Sequence, residues 1–188
     1  MFTYDHIFKE KKNILIVTAH PDDSLVYFGA LINKLRKDSK NVYVVVVTNG
    51  ARGSGDKQIS EDDLSKQRIE EEAQALAFLK VSKTNFTCLQ YKDGEAVMDA
   101  VYPFARDASF FPEHAKEGIE PHTMYDILLT DEITCTFDFD YTEDLETKKA
   151  AMRMHKSQFD EEFITDVVET VKSGDRYLEK FFYVKLQW

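Results

Sequence analysis

The sequence predicts an α/β protein with a Rossmann-like, mostly parallel sheet flanked by helices. Two observations carry that prediction. Asn13–Ala19 and Val42–Thr48 are short runs rich in β-branched residues, apolar on both faces. A strand buried inside a parallel sheet has that pattern. Between them Leu25, Phe28, Leu31, Ile32 and Leu35 recur at helical spacing, with Lys34, Arg36 and Lys37 outside. The three segments form a strand–helix–strand crossover unit.

The remaining elements follow in order. Asn49–Ser60 holds Gly50, Gly53 and Gly55 and reads as a loop. Ser60 reads as a helix cap, with Glu61–Asp63 in the first turn. That helix is expected to reach about Leu79, with Leu64, Ile69, Ala73, Leu76 and Leu79 inward. Asn85–Leu89 is the third strand. Further on, Ala96–Phe104 reads as a helix, and Tyr125–Thr130 and Ile133–Phe139 as strands. Glu143–Ser157 and Phe163–Val171 read as helices, and Tyr177–Leu186 as a last strand. The order β-α-β-α-β argues for layers around one sheet in a single domain over residues 1–188.

Composition narrows the function. The chain carries 34 acidic against 24 basic side chains, a net charge of −10. Neutralising phosphates needs a basic face, so a nucleic-acid partner is not expected. Cys88 and Cys135 sit in apolar surroundings and read as reduced core residues. Met1–Lys12 lacks an apolar core and carries Asp5 and Glu10, so no signal peptide is expected there. No run reaches the length of a membrane span. The expected location is the cytoplasm. The run Phe181-Phe182-Tyr183 reads as a buried strand or an oligomer contact, which leaves a homo-oligomer open. The acidic runs Glu61–Asp63 and Asp138–Asp144 read as solvated faces and helix starts.

One motif carries chemistry. Ala19-His20-Pro21-Asp22-Asp23 directly follows the first strand, at the sheet end where α/β folds bind ligands. An imidazole and a carboxylate three residues on, His20 and Asp23, both reach one Zn²⁺, and Pro21 stiffens the turn. Asp22 is then free to act as general base on an attacking water. The plainer alternative is an ordinary turn in which Asp22 or Asp23 caps the following helix.

Ala19–Asp23 resembles the signature of the LmbE-like (PIG-L) N-deacetylases, and four further elements resemble that family in order. They are Thr48–Ser54; Arg68-x-x-Glu71-x-x-x-Ala75 with Leu79-Lys80-Val81; Tyr102–Asp107; and Lys148…His155-Lys156-Ser157-Gln158. The resemblance implies a cytoplasmic zinc-dependent enzyme, using Zn²⁺ or another divalent transition metal. Its partner would be a small-molecule N-acetylated sugar conjugate of the N-acetylglucosamine type. It implies His20 and Asp23 as metal ligands and Asp22 as the catalytic base. Arg68, Asn49 and Arg52 would meet the substrate. Spacing alone favours a different reading of Arg68, as a surface arginine paired with Glu71 or Glu72. His155 is read either as a group that holds a metal ligand in place from behind or as a partly buried, hydrogen-bonded core histidine.

Two departures stand out. The family motif usually continues with Glu where this chain has Ser24, and a modest effect is expected. The family also draws a third ligand from a His-x-x-His type segment that has no counterpart here. Against the family pattern a strand, a loop and that ligand are missing between about Glu95 and Ala96. Removing a central strand would leave unpaired sheet edges. The favoured expectation is therefore a segment omitted from this sequence. His114 and His122 read as solvated surface histidines rather than as substitutes. A non-catalytic sugar- or nucleotide-binding protein on the same scaffold is the alternative, because two ligands from one turn hold zinc weakly.

Overall fold

The computed structural model describes residues 1–51, 59–91, 117–118, 125–130 and 134–185. The helix expected at Ala96–Phe104, the Tyr102–Asp107 element, His114, His122, Arg52 and the junction near Glu95 lie outside the described residues.

The first half is the crossover unit that the hydrophobic runs predict. Helix α1 (Tyr4–Phe8), which the sequence reading did not include, precedes strand β1 (Asn13–Thr18). Helix α2 (Asp23–Lys37) leads to strand β2 (Asn41–Thr48). Helix α3 (Glu61–Phe78) leads to strand β3 (Phe86–Tyr91). The three strands form a parallel sheet in the order β1-β2-β3. Val42, Val44 and Val46 of β2 are fully buried against Leu25, Leu31, Ile32 and Leu35 of α2 and Leu76 of α3. Each such side chain contributes about 1.5–3 kcal/mol on leaving water. Ser60 caps α3 as expected: its Oγ accepts from the Asp63 N–H at 3.1 Å.

The second half differs from the first in topology. Strands β4 (Asp126–Thr130), β5 (Phe137–Asp140), β6 (Lys172–Ser173) and β7 (Arg176–Lys185) form antiparallel pairs with β7 in the middle. Helices α4 (Leu145–Met152) and α5 (Glu161–Thr170) lie between β5 and β6. The expected strands are present, and the expected helix at Glu143–Ser157 is shorter, opening with a 3₁₀ turn at Thr142–Asp144. Phe181 and Tyr183 of β7 are buried, as the buried-strand reading of that run requires. Cys88 and Cys135 are free thiols. No helix of the described residues is long and apolar enough to cross a membrane.

Helix α2 joins the halves. It packs on β1 and β2 with one side and against α4 and β7 with another. Its N-terminus lies at the carboxyl end of the parallel strands, so its first turn is held from several directions.

Candidate active site

The chain leaves β1 at Thr18 and enters α2 at Asp23, so His20, Pro21 and Asp22 make one tight turn. Neighbouring strand β2 fixes that turn. The Thr48 N–H and Oγ1 both donate to the Ala19 carbonyl at 2.8 Å. Within the turn, the Asp22 carbonyl accepts from the Leu25 and Val26 N–H groups at 2.9 and 3.1 Å. Asp22 itself has φ +123°, a left-handed conformation that costs a non-glycine residue about 1–3 kcal/mol. Its carboxylate makes no capping bond to α2. The helix-cap alternative therefore fails for Asp22. Asp23 turns back instead, its Oδ2 accepting from the His20 N–H at 2.9 Å.

His20 Nδ1 and Asp23 Oδ2 lie 3.4 Å apart, with the histidine half exposed. Two donors at zinc–ligand distance from a tetrahedral centre are about 3.4 Å from one another. The pair therefore fits two corners of such a centre. Among the described residues no third His, Cys, Asp or Glu joins them.

Asp22 sits in a distinctive electrostatic environment. Burial is the main influence, and with Asp23 beside it and Glu72 nearby it pushes the carboxyl up to about 6. His155 and Arg68 pull the other way.

Helix α3 supplies that environment. Arg68 is 3% exposed and its Nη1 donates to the Gly50 carbonyl. The surface-arginine reading is therefore replaced by a buried one, in which Arg68 anchors the loop after β2. Gly50 adopts φ +65°, and a Cβ there would lie 3.0 Å from both Arg68 Nη1 and Pro21 Cδ. Asn49 shapes the same loop, its Oδ1 accepting from the Ala51 N–H at 3.2 Å.

Glu71 holds the late element. It accepts from the Ser157 N–H at 3.1 Å and from Ser157 Oγ at 2.5 Å. Glu72 is fully buried. Its Oε1 accepts from Ser24 Oγ, and its Oε2 lies 2.8 Å from His155 Nε2. His155 is also fully buried. The structure thus brings His20, Asp22, Asp23, Arg68, Asn49 and His155 to one end of the parallel sheet.

The buried role of Glu72 and the hydroxyl bond of Ser24 escaped the sequence reading, which took Glu71 or Glu72 as a surface partner of Arg68. The available signal was phase: Leu64, Arg68, Glu72, Ala75 and Leu76 fall on one helical stripe.

The comparisons agree with this architecture. The family model described as PIG-L, GlcNAc-PI de-N-acetylase, matches residues 15–175. The chain belongs to the PIG-L family. It is 31% identical over 94 residues to the diacetylchitobiose deacetylase of Thermococcus kodakarensis, an alignment covering 50% of this chain and 34% of that protein. The match thus spans about a third of the length of that curated relative. Among solved structures, the N,N'-diacetylchitobiose deacetylase of Pyrococcus horikoshii superposes with a TM-score of 0.84 at 23% identity, covering 95% of this chain and 85% of that one. A 4-carboxy-2-hydroxymuconate hydratase from Pseudomonas putida KT2440 gives 0.68 at 18% identity, covering 94% and 98%. These two likenesses show the fold, and the second shows that the scaffold carries more than one chemistry.

Proposed function

We propose that the chain is a metal-dependent amide hydrolase that removes an N-acetyl group from a small N-acetylglucosamine-type conjugate. One observation supports this reading above the others. A single strained turn presents an imidazole and a carboxylate 3.4 Å apart, with a second carboxylate left uncapped beside them. In this reading His20 and Asp23 would hold Zn²⁺ or another divalent transition metal, which would polarise the acetamide carbonyl and acidify water.

The chain's own residues do the rest. Asp22 accepts the proton of the attacking water on its free carboxylate and later returns it to the leaving amine. A carboxyl pushed up to about 6 is a stronger base than an ordinary aspartate, yet mostly ionised near neutral pH. Arg68 keeps the Asn49–Ala51 loop against Pro21, giving the substrate a fixed wall. Arg52 would follow on that wall.

The test is deacetylation of N-acetylglucosamine conjugates by metal-replete and chelator-treated protein, with Asp22→Asn alongside. We expect product only from the metal-replete wild type. Equal inactivity of all three on every acetamide overturns the enzymatic reading. It would leave the binding-protein alternative, for which sub-stoichiometric, weakly held zinc is the mark.

A further inference from the structure

We propose that Glu72 is a positioning residue for the reaction. It fixes the His155 ring with Nε2 as the donor and ties it through Ser24 to the first turn of α2, two residues after Asp22. The proposal rests on the reading of Asp22 as the base. It assigns a role to a residue that no sequence motif singled out.

Glu72 sits mid-helix on α3 and is fully buried. Both of its oxygens are engaged: Oε1 by the Ser24 hydroxyl and Oε2 by His155 Nε2 at 2.8 Å. Ser24 follows Asp22 by two residues, in the first turn of α2. One carboxyl group therefore ties α3, the first turn of α2 and the segment after α4 together.

The hydrogen-bond chemistry sets the tautomer. An ionised carboxylate only accepts, so the ring nitrogen facing it carries the hydrogen. In a neutral ring that assignment puts the lone pair on Nδ1. Nδ1 is buried and has no hydrogen-bond partner among the described residues. A buried polar atom without a partner costs about 1–3 kcal/mol. A leucine or methionine would fill the same space without that cost, so packing alone does not account for histidine here. The same carboxyl group bonds His155 and Ser24, and Ser24 lies two residues after Asp22, which puts the pair directly behind the turn that carries the base.

The test combines ring-nitrogen NMR of the histidine-labelled full chain with steady-state kinetics. In the wild type we expect a His155 Nε2–H that exchanges slowly with water and an unprotonated Nδ1. Glu72→Gln keeps an oxygen acceptor and should retain that tautomer, with kcat within about threefold of the wild type. Glu72→Leu should lose the slow Nε2–H and lower kcat by about 10- to 100-fold, with KM changed less than about twofold.

Three results overturn the proposal. One is a wild-type Nδ1–H tautomer, which decides the question even where the leucine variant does not fold. Another is a folded Glu72→Leu protein with unchanged kcat. The third is loss of activity in Glu72→Gln with the tautomer intact, which would make charge the operative property. The NMR arm needs no substrate. An inactive wild type would therefore sink the hydrolase reading while still deciding what Glu72 does to His155.

Discussion

Buried ionic groups grip helix α2 at two places, with different chemistry. At its first turn Ser24 meets Glu72, and Glu72 meets His155. At its middle Lys148 Nζ donates to the Val26 carbonyl at 2.7 Å and to Glu179 Oε1 at 2.7 Å. Glu179 in turn accepts from the Ala30 and Leu31 N–H groups at 2.8 and 2.9 Å. Val26 and Ala30 stand one turn apart, a pair that bond to each other in a regular helix. At the mid-helix grip every charge is paired: Lys148 has its carboxylate, a carbonyl and the face of Tyr141 at 4.7 Å, and the Tyr141 hydroxyl is the group left without a hydrogen bond. At the first-turn grip His155 Nδ1 lacks a hydrogen-bond partner among the described residues and the neighbouring Asp22 is left uncapped at φ +123°. A buried ion pair far from the turn serves architecture. A buried carboxyl tied to the segment that carries a strained, uncapped aspartate fits a role in holding the site.

The contrast breaks most sharply at the strained turn. Asp22→Asn should keep the fold and lower deacetylation by about 10²- to 10⁴-fold, the range of general acid–base catalysis. Asp22→Gly should be equally inactive, yet as stable as the wild type or up to about 1 kcal/mol more so, because glycine accepts the positive φ freely. Urea unfolding of both variants beside a turnover assay checks the pair. A Gly variant that is clearly less stable would mean the turn is not strained.

The mid-helix cluster should show the opposite pattern. Lys148→Met leaves Glu179 buried without its counter-charge and should cost about 3–5 kcal/mol, with activity altered only through folding. Burial already holds the Glu179 carboxyl above its ordinary range, opposed mainly by Lys148. A group raised in the folded state favours folding when protonated, and that contribution is lost as pH rises through its folded value. The variant's deficit should therefore be smaller near pH 5 than near pH 7. A deficit that shrinks as pH rises would put the charge elsewhere.

These two regions were unequally legible in the sequence. The turn was readable because His20, Pro21, Asp22 and Asp23 are contiguous and follow an apolar β-branched run, although in the structure only Ile16 and Thr18 of that strand are buried. Helix α2 was readable because its inward residues are apolar at helical spacing. Helix α3 was readable in extent from its Ser60 cap, but its buried face is more polar than apolar: Ser65, Arg68, Glu71 and Glu72 join Leu64, Ala75 and Leu76. Hydrophobic periodicity does not see such a face. The partners in the late element, Ser157 for Glu71 and His155 for Glu72, lie 86 and 83 residues along the chain, so the local sequence does not point to them. Glu179 did leave a trace, since it falls in phase with the buried Phe181 and Tyr183 along β7. The strands of the second half were visible as segments, but their antiparallel pairing was not, because a period of two gives a strand its faces and not its neighbour.

Beside the first-turn grip, against Pro21, lies the loop that Arg68 anchors, and Gly50→Ala sharpens its assignment to the site. The new methyl would sit 3.0 Å from Arg68 Nη1 and Pro21 Cδ at φ +65°. We expect a loss of about 1–3 kcal/mol in stability. We also expect kcat/KM to drop about tenfold, because the Pro21 side of the turn is displaced with the loop. Stability loss with unchanged kcat/KM would detach the Asn49–Ala51 loop from substrate.

The smallest effect should come from the far end of α3. Ser60 Oγ accepts from the Asp63 N–H at 3.1 Å and donates to Asp63 Oδ2 at 2.7 Å. Removing a cap of this kind costs about 1 kcal/mol. Ser60→Ala frays the first turn, but Arg68 lies two turns further in and Glu72 three, each held by its own buried bond. The helix should therefore loosen at its exposed end while the site end stays in place. Hydrogen exchange should quicken at the first-turn amides, with protection unchanged from Arg68 onward and turnover within about twofold of the wild type. If turnover fell in step with stability, α3 would be acting as one cooperative unit, and the buried bonds of Arg68 and Glu72 would not be the local anchors described above.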